Sequence, residues 1–319
     1  MQRRELLAAT ALGLGAAASR GGAAQEAKTL AERLGHARGD RLLMVHADDV
    51  GMCHSVNAAT IKAMTEGVAS SASVMVPCPW FPEIAAWSRE HPEADLGLHL
   101  TLTSEWRLYR WRPVTPVDQV KGLVDGEGFL WRSVEDVKKH ATAKEVETEI
   151  RAQIRRARQF GMKPTHVDSH MGTLFSRADF FEAYVRVAKD EGILPMLMEA
   201  TPEILAEAKE LGLDYAGLAK RLRAEGFVLL DRLSTGLKGG TLEERSRAFR
   251  EFVKGLGPGV TELIVHLAGD DEEIRHVTGN WAARYHELRL VTDPETRAFL
   301  KAEGVKLVGY RELAALWAK

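Results

Sequence analysis

Short apolar runs alternate along the chain with longer stretches in which apolar residues recur every three or four positions. The longer stretches are typical of amphipathic helices, and the short runs bounded by Gly, Pro or polar residues are typical of buried strands. Eight runs predict strands: LLMVHA (42–47), SASVMV (71–76), LGLHLTL (96–102), PTHVDSH (164–170), LPMLM (194–198), FVLLDRL (227–233), TELIVHL (261–267) and VKLVGY (305–310). The clearest helical stretches are 55–67, 81–91, 143–161 and 177–192.

Strands that alternate with helices of this length predict parallel βαβ units. Eight of them between residues 41 and 319 predict an α/β fold, a distorted (β/α) TIM-like barrel in a single domain. Residues 26–40 are predicted to be a polar lead-in to it. No GxGxxG sequence follows the first strand, which argues against a dinucleotide-binding sheet.

The first 25 residues differ in character from the rest. Arg3 and Arg4 precede an apolar run of small residues that ends at Gly22-Ala23-Ala24, a sequence suited to signal peptidase. The run is too short to cross a bilayer as a helix. Residues 1–25 therefore predict a twin-arginine export signal, a periplasmic or secreted mature protein, and no membrane association once the signal is removed.

Charge and cysteine content narrow the function classes. The 319 residues include 43 Lys and Arg and 45 Asp and Glu, a formal net charge of −2, so no excess of charge points to nucleic acid. Cys53 and Cys78 lack CxxC spacing and are expected to be small buried hydrophobes, although an oxidising periplasm would let them pair. The sequence is compatible with a homodimer but does not specify the oligomeric state.

Ionisable residues collect at the ends of four predicted strands, where the chemistry of a (β/α) barrel gathers. They are Asp48, Asp49, His99, His166, Asp168, His170 and His266. A single histidine in a strand is usually a hydrogen-bonded core residue. Independent core histidines have no reason to fall at the same end of successive strands, so we interpret the set as one site.

One Asp with two His forms a ligand set that leaves positions open for water and substrate, as catalytic metal sites do. The cofactor expected is one divalent metal ion, Zn or Mg first, with Mn, Co or Ni as alternatives. The second carboxylate of the Asp48-Asp49 pair would be the general base, and His266 the general acid. His166 and His170 compete for one ligand position on this evidence, and Asp168 is either a substrate contact or an orienting partner of a histidine.

The longest irregular stretch, residues 103–134, is rich in Trp, Arg, Pro and Gly, and loops of this length usually have a function. Its aromatic rings suit the C–H face of a sugar and its arginines suit hydroxyl or acidic groups. The candidates are Trp106, Tyr109, Trp111, Trp131, Arg107, Arg110 and Arg112, and substrate binding is assigned to Trp106, Arg107 and Trp111 together with His166 and Asp168. The alternative is that the aromatics only pack the loop onto the barrel.

In combination, ADDVG (47–51) with the SVN that follows, GLHL (97–100), PTHVDSH (164–170) and the closing RYHELRLVTDPETRAFLKAEGVKLVGYREL resemble the YdjC-like carbohydrate deacetylases. That family includes chitooligosaccharide deacetylase and the hopanoid-biosynthesis deacetylases, and the resemblance spans about residues 40 to 315. It implies a distorted (β/α) barrel, metal ligands at Asp49, His99 and His170, a general base at Asp48, and His266 as the family's late histidine.

Two segments depart from the family's pattern on the substrate side, DSHMGTLF after the fourth strand and HLAGDD at His266. From the ligand set and the resemblance we expect a metal-dependent hydrolase that removes an acetyl group from a small N-acetylated (or O-acetylated) carbohydrate. Because the two departures lie on the substrate side, the sequence does not identify the sugar. One alternative is a metal-dependent hydrolase of another amide, ester or phosphoester. An exported sugar-binding protein with a vestigial site is the alternative of another class.

Overall fold

The computed structural model describes residues 27–317. Within them, eight strands form one sheet in which every pairing is parallel. The strands are β1 (Arg41–Val50), β2 (Ser71–Val74), β3 (Leu96–Leu100), β4 (His166–Ser169), β5 (Leu194–Pro195), β6 (Arg232–Ser234), β7 (Gly259–His266) and β8 (Val305–Leu307).

The helices of the described residues connect these strands. They are α1 (Leu30–Arg33), α2 (His54–Thr65), α3 (Phe81–Glu90), α4 (Val134–His140), α5 (Ala143–Gln159), α6 (Ala178–Glu191), α7 (Pro202–Glu210), α8 (Tyr215–Ala224), α9 (Leu242–Lys254), α10 (Glu272–Val277), α11 (Trp281–Thr292), α12 (Pro294–Ala302) and α13 (Tyr310–Trp317). Side-chain caps begin several of them, for example the Thr142 hydroxyl of α5, which accepts the N–H of Glu145.

The sheet curls into a distorted barrel, which confirms the predicted fold. Its strand order is β5-β4-β3-β2-β1-β7-β6, and β8 pairs with the first residues of β1. The two edges meet where the Leu230 N–H donates to the Leu197 carbonyl and the Glu199 N–H donates to the Leu230 carbonyl, each at 2.8 Å. The barrel is uneven because β1 has ten residues, whereas β5 has two.

Alternation along β1 divides the core into two parts. Leu43, Val45 and Ala47 pack outward against the helices. Leu42 and Met44 face the barrel interior with side chains of α1 and α13, which fill its N-terminal end. The next two interior positions of β1 are His46 and Asp48, so the interior becomes polar toward the C-terminal end of the strands. This gradient places the ionisable residues at the open mouth of the barrel.

A strand lies within each of the eight predicted runs or overlaps it, but most strands are shorter than predicted, and the last run, 305–310, ends in the first residue of α13. The largest shift is at β6. Residues 227–231 precede β6 rather than form it, because this segment contacts the chain after β5 through a single bridge at Leu230. The predicted lead-in includes α1, whose Leu30 and Ala31 are buried in the barrel core. The predicted export signal at residues 1–25 lies outside the described residues.

The insert 103–134 is folded onto the barrel. Two 3₁₀ turns lie within it, and the carboxylate of Glu149 on α5 accepts the N–H groups of Val114 and Thr115 at 2.9 Å each. Cys53 and Cys78 are buried free thiols, so the structure does not pair them. Between residues 27 and 317, no helix has both the length and the apolar composition needed to cross a bilayer.

Candidate metal centre

A bulge at the end of β1 brings two consecutive carboxylates to the mouth of the barrel. In a regular strand Asp48 and Asp49 would point to opposite faces. Here the pairing of β1 with β2 shifts register between Ala47 and Val50, and Asp49 has a left-handed backbone with φ of 66°. Asn57 of α2 fixes the turn, because its Oδ1 accepts the Gly51 N–H at 2.6 Å.

Asp49, His99 and His170 come together at this bulge, as the sequence predicted. Asp49 Oδ1 lies 3.6 Å from His99 Nε2 and 3.3 Å from His170 Nδ1, and all three side chains are buried. Ligand atoms that share a Zn²⁺ at about 2.0–2.2 Å stand roughly 3 to 3.5 Å apart. The spacing therefore fits a divalent cation between them.

The chemistry of the donors supports this fit. Asp49 Oδ1 is a buried anionic oxygen with no hydrogen-bond partner, a costly arrangement unless a cation is bound. The far nitrogen of each imidazole is bonded to a carboxylate: His99 Nδ1 to Asp168 Oδ1 at 2.6 Å and His170 Nε2 to Glu105 Oε2 at 3.1 Å. These bonds place the proton on the far nitrogen and leave the nitrogen near Asp49 free to bind metal.

Two further groupings have metal-ligand spacing, namely His46 with His166 and Asp168, and Asp48 with His99 and Asp168. Both rely on Asp168, whose oxygens already accept hydrogen bonds from His99 and from His46. Asp49 Oδ1 has no such partner. We therefore take the group built on Asp49 as the candidate metal centre.

The surrounding charges keep the carboxylates ionised and the imidazoles protonated when no metal is bound. Burial raises the pKa of Asp49, but the charge of Arg284 and the nearby imidazole of His170 outweigh it and hold the pKa well below its usual range. Burial lowers the pKa of His170, yet the charge of Glu105 and the nearby Asp49 carboxylate raise it to about 10. The pKa of His99 is also raised, because Asp48 and Asp168 overcome its burial. A metal ion must therefore displace a proton from His170, and the raised pKa of His99 opposes metal binding in the same way.

Asp48 and His266 face each other beside these ligands. They are register partners on β1 and β7, and His266 Nε2 lies 4.0 Å from Asp48 Oδ2. Asp48 Oδ1 lies 3.2 Å from His46 Nε2 and accepts a hydrogen bond from the Ser73 hydroxyl at 3.3 Å. The His266 side chain is 37% exposed and lines a cleft of about 470 Å³. The residues predicted to be base and acid therefore lie next to the ligand set, with His266 in the wall of the cleft.

A family model described as YdjC-like protein matches residues 42–302. The chain belongs to the YdjC-like family. It is 33% identical over 277 residues to a carbohydrate deacetylase of Thermus thermophilus, with 85% of this chain and 93% of that protein covered. It is 28% identical over 286 residues to a chitooligosaccharide deacetylase of Yersinia enterocolitica, with 86% and 99% covered.

A solved structure shows the same fold. The crystal structure of a proposed cellobiose-phosphate cleavage protein from Enterococcus faecalis V583 superposes with a TM-score of 0.72 at 23% identity, over 86% of this chain and 99% of that one. The distorted barrel is thus shared with a protein whose sequence has diverged widely.

The substrate contacts predicted for this YdjC-like chain fall into two groups. Trp106 is partly exposed and Arg107 exposed on the insert, where a sugar can reach them. Trp111 is 3% exposed and its Nε1 donates to the Thr103 carbonyl inside the loop, so the structure does not support it as a sugar contact. His166 and Asp168 are also buried, in the barrel interior, and the bond to His99 makes Asp168 an orienting partner.

Several site residues were not predicted from the sequence. Glu105 orients His170, His46 lies between Asp48 and Asp168, and Arg284 donates from Nη2 to Asp49 Oδ2 at 2.5 Å. Glu287, one turn after Arg284 on α11, accepts the backbone N–H of His266 at 2.7 Å. The RYHEL segment that carries the last two was noted only as a family pattern, and a charged pair at spacing i, i+3 within it was the available signal.

Proposed function

We propose that this protein is a metal-dependent hydrolase that removes an acetyl group from an N-acetylated or O-acetylated carbohydrate. Family membership and relatives named carbohydrate deacetylase support the reaction class. The observation that carries the proposal is the buried, unpartnered Asp49 Oδ1 between two oriented imidazoles, with Asp48 next to it and His266 in the wall of the cleft.

Each residue has a distinct part in this chemistry. Asp49, His99 and His170 would hold the divalent ion, which when bound supplies Lewis-acid activation of water and of the acetyl carbonyl. Asp48, ionised beside His46, accepts the proton of the attacking water. His266 is exposed on the cleft side and donates a proton to the departing sugar nitrogen or oxygen.

The cleft beside His266 and the insert 103–134 both carry side chains that could contact a bound sugar. The cleft is lined by both apolar and polar groups, including Asn280, Thr235 and Lys238, which can bond hydroxyls. Trp106 and Arg107 directly follow Glu105, whose carboxylate bonds to His170, so they are suited to supply the ring and the donor of a pyranose site. These contacts would orient the acetyl group toward Asp48.

Acetate release from acetylated mono- and oligosaccharides tests the proposal. Purified protein is assayed as isolated, after chelation, and after Zn²⁺, Mg²⁺, Mn²⁺, Co²⁺ or Ni²⁺ is restored. Asp48→Asn preserves shape and metal ligands but cannot take a proton, so we expect at least a 100-fold loss of turnover. The matched control is Asp118→Asn, an exposed carboxylate on a 3₁₀ turn of the insert.

Three outcomes contradict the proposal in different ways. Acetate release that survives chelation removes the metal from the mechanism. Metal binding without acetate release from any sugar favours a hydrolase of another amide, ester or phosphoester. Sugar binding that is unchanged in Asp48→Asn, with no hydrolysis in either protein, favours a sugar-binding protein with a vestigial site.

We also propose that the protein is exported through the twin-arginine route, from the Arg3-Arg4 pair and the small-residue run after it. Fractionation of cells that express the full chain with a C-terminal tag tests this. Replacement of both arginines by lysine keeps the charge and should retain the protein in the cytoplasm. Equal export of the two forms would remove the twin-arginine assignment.

A further inference from the structure

Arg284 reaches from the buried face of α11 to the bulge at the end of β1. Its side chain is 9% exposed, and Nη2 donates to Asp49 Oδ2 at 2.5 Å. The other guanidinium nitrogens, Nε and Nη1, are buried without hydrogen-bond partners. Among residues 27–317, Asp49 is therefore the hydrogen-bond partner of this guanidinium.

This contact gives the two oxygens of Asp49 different surroundings. Oδ2 bonds to the guanidinium, whereas Oδ1 faces His99 Nε2 and His170 Nδ1 and bonds to nothing. A carboxylate with one oxygen held by Arg offers a single oxygen to a cation. Three protein donors with room for water match four-coordinate Zn²⁺, whereas larger oxygen-preferring ions take more ligands and often both oxygens of a carboxylate.

Neighbouring contacts fix the position of Arg284. Glu287, one turn further along α11, accepts the backbone N–H of His266 at 2.7 Å and pairs with Arg245 of α9. The helix is thus bound to the ends of both β1 and β7. On the other side, the left-handed backbone of Asp49 directs the residue toward the ligand histidines, and the bond from Arg284 holds its Oδ2. Arg284 is therefore the contact that keeps Oδ2 occupied.

We propose that Arg284 is a positioning residue that sets the metal preference of the site, by holding Asp49 as a one-oxygen ligand. Without it, Asp49 turns both oxygens toward the ion, and the site gains a fourth protein donor. Preference then shifts from Zn²⁺ toward Mn²⁺. This inference rests on the proposed function in one respect, that the site binds a divalent cation.

The test is the ratio of the Mn²⁺ and Zn²⁺ dissociation constants, measured by competition titration of the metal-free protein. Arg284→Met fills similar space but has neither charge nor donor. Loss of the positive charge strengthens the attraction for both divalent ions, so the charge effect cancels in the ratio. We expect the ratio to fall roughly tenfold or more in Arg284→Met, as for other partners of metal ligands. Arg284→Lys keeps the charge and one donor and should keep most of the preference.

The visible absorption of the Co²⁺-loaded proteins gives a second readout. Four-coordinate Co²⁺ absorbs far more strongly than Co²⁺ with five or six ligands, so the spectrum of Arg284→Met should weaken relative to wild type. Arg289→Met is the matched control, an exposed arginine on the same helix, and should change neither the ratio nor the spectrum. Thermal melting of the variants checks that they are folded. If Arg284→Met does not fold, Arg284→Leu, which also lacks the charge and the donor, replaces it and the same fall in the ratio is expected.

The outcomes separate this inference from the proposed function. A wild-type protein that binds metal, with an unchanged ratio in Arg284→Met, overturns the inference and leaves the hydrolase proposal standing. A wild-type protein that binds neither ion overturns the metal centre, and both fall. A smaller ratio with a weaker Co²⁺ spectrum supports Arg284 as the residue that sets metal preference.

Discussion

Asp168 accepts a hydrogen bond from His99 Nδ1 at 2.6 Å, and its other oxygen accepts one from His46 Nε2 at 3.1 Å. The carboxylate thereby connects a metal-ligand histidine to the histidine that lies beside the candidate base. Burial raises the pKa of Asp168, but the charge of His99 and the hydrogen bonds from His46 and His99 hold it well below its usual range. Asp168 is thus an ionised acceptor in the barrel interior.

Asp168→Asn should weaken metal binding about 10- to 100-fold. The amide can donate to His99 Nδ1, which would move the ring proton to Nε2 and occupy the nitrogen that faces Asp49. Calorimetric titration of the metal-free protein with Zn²⁺ measures the change. Asp118→Asn is the control, and equal affinity in all three proteins would exclude an orienting role for Asp168.

Gly97→Ala should destabilise the protein by about 1–3 kcal/mol or more. A Cβ at this position would stand 2.3 Å from the His166 ring, which is itself stacked on Tyr310 at 3.7 Å between centroids and cannot withdraw. Urea unfolding followed by circular dichroism measures the loss. Gly126→Ala, where nothing lies within 4 Å of the added carbon, should leave stability nearly unchanged. Equal midpoints for the two variants would show that the interior can repack.

Metal affinity should rise with pH through the neutral range. The pKa of His170 in the metal-free protein is about 10, so its imidazole carries a proton that the metal must displace, and the raised pKa of His99 acts in the same direction. Each proton released increases the apparent affinity about tenfold per pH unit below the pKa. Titration in buffers of different ionisation enthalpy counts the protons, and His170→Gln should release fewer. Affinity that is independent of pH would contradict the protonated state.

The raised pKa values of His170 and His99 also determine the direction in which the stability of the metal-free protein changes with pH. Because their folded pKa values lie above the unfolded value of about 6.5, their contribution to the metal-free protein is complete below that pH and is lost as pH rises toward 10. The melting temperature of the metal-free protein should therefore fall relative to the metal-bound protein as pH increases from 6.5. Thermal melts with and without chelator measure this gap, and a constant gap would contradict the linkage.

Glu149→Gln should loosen the insert that carries Trp106. The Glu149 carboxylate accepts two backbone N–H groups of the insert and the Gln153 amide, and it is buried. The side-chain amide of Gln would place its NH₂ group opposite a backbone N–H donor of Val114 or Thr115, at a cost of about 1–3 kcal/mol of stability. Limited proteolysis should cut the insert faster. Glu147→Gln, on the same helix, should not change the rate, because Glu147 pairs with Arg151 and Arg186 rather than with the insert. Unchanged cleavage would show that other contacts hold the loop.

Much of the fold was accessible from local pattern. The period of two in LGLHLTL placed His99 opposite the leucines, and the same alternation along β1 put Asp48 on the interior face. The alternation of residues does not predict the register between strands. The bulge that brings Asp49 to the same side as Asp48 depends on the pairing of β1 with β2. Nor could burial of Trp111, because aromatic composition is the same for a sugar platform and for a packed loop.

By itself, the sequence determined the order of strands and helices, the barrel, and the end at which its ionisable residues gather. It could do so because hydrophobic periodicity records, residue by residue, which face is buried. Only the tertiary structure decided that Asp49 has one free oxygen, because the contact with Arg284 joins positions 235 residues apart through the packing of a helix on the barrel. Contacts between distant segments depend on how whole elements pack, and no local period contains that information.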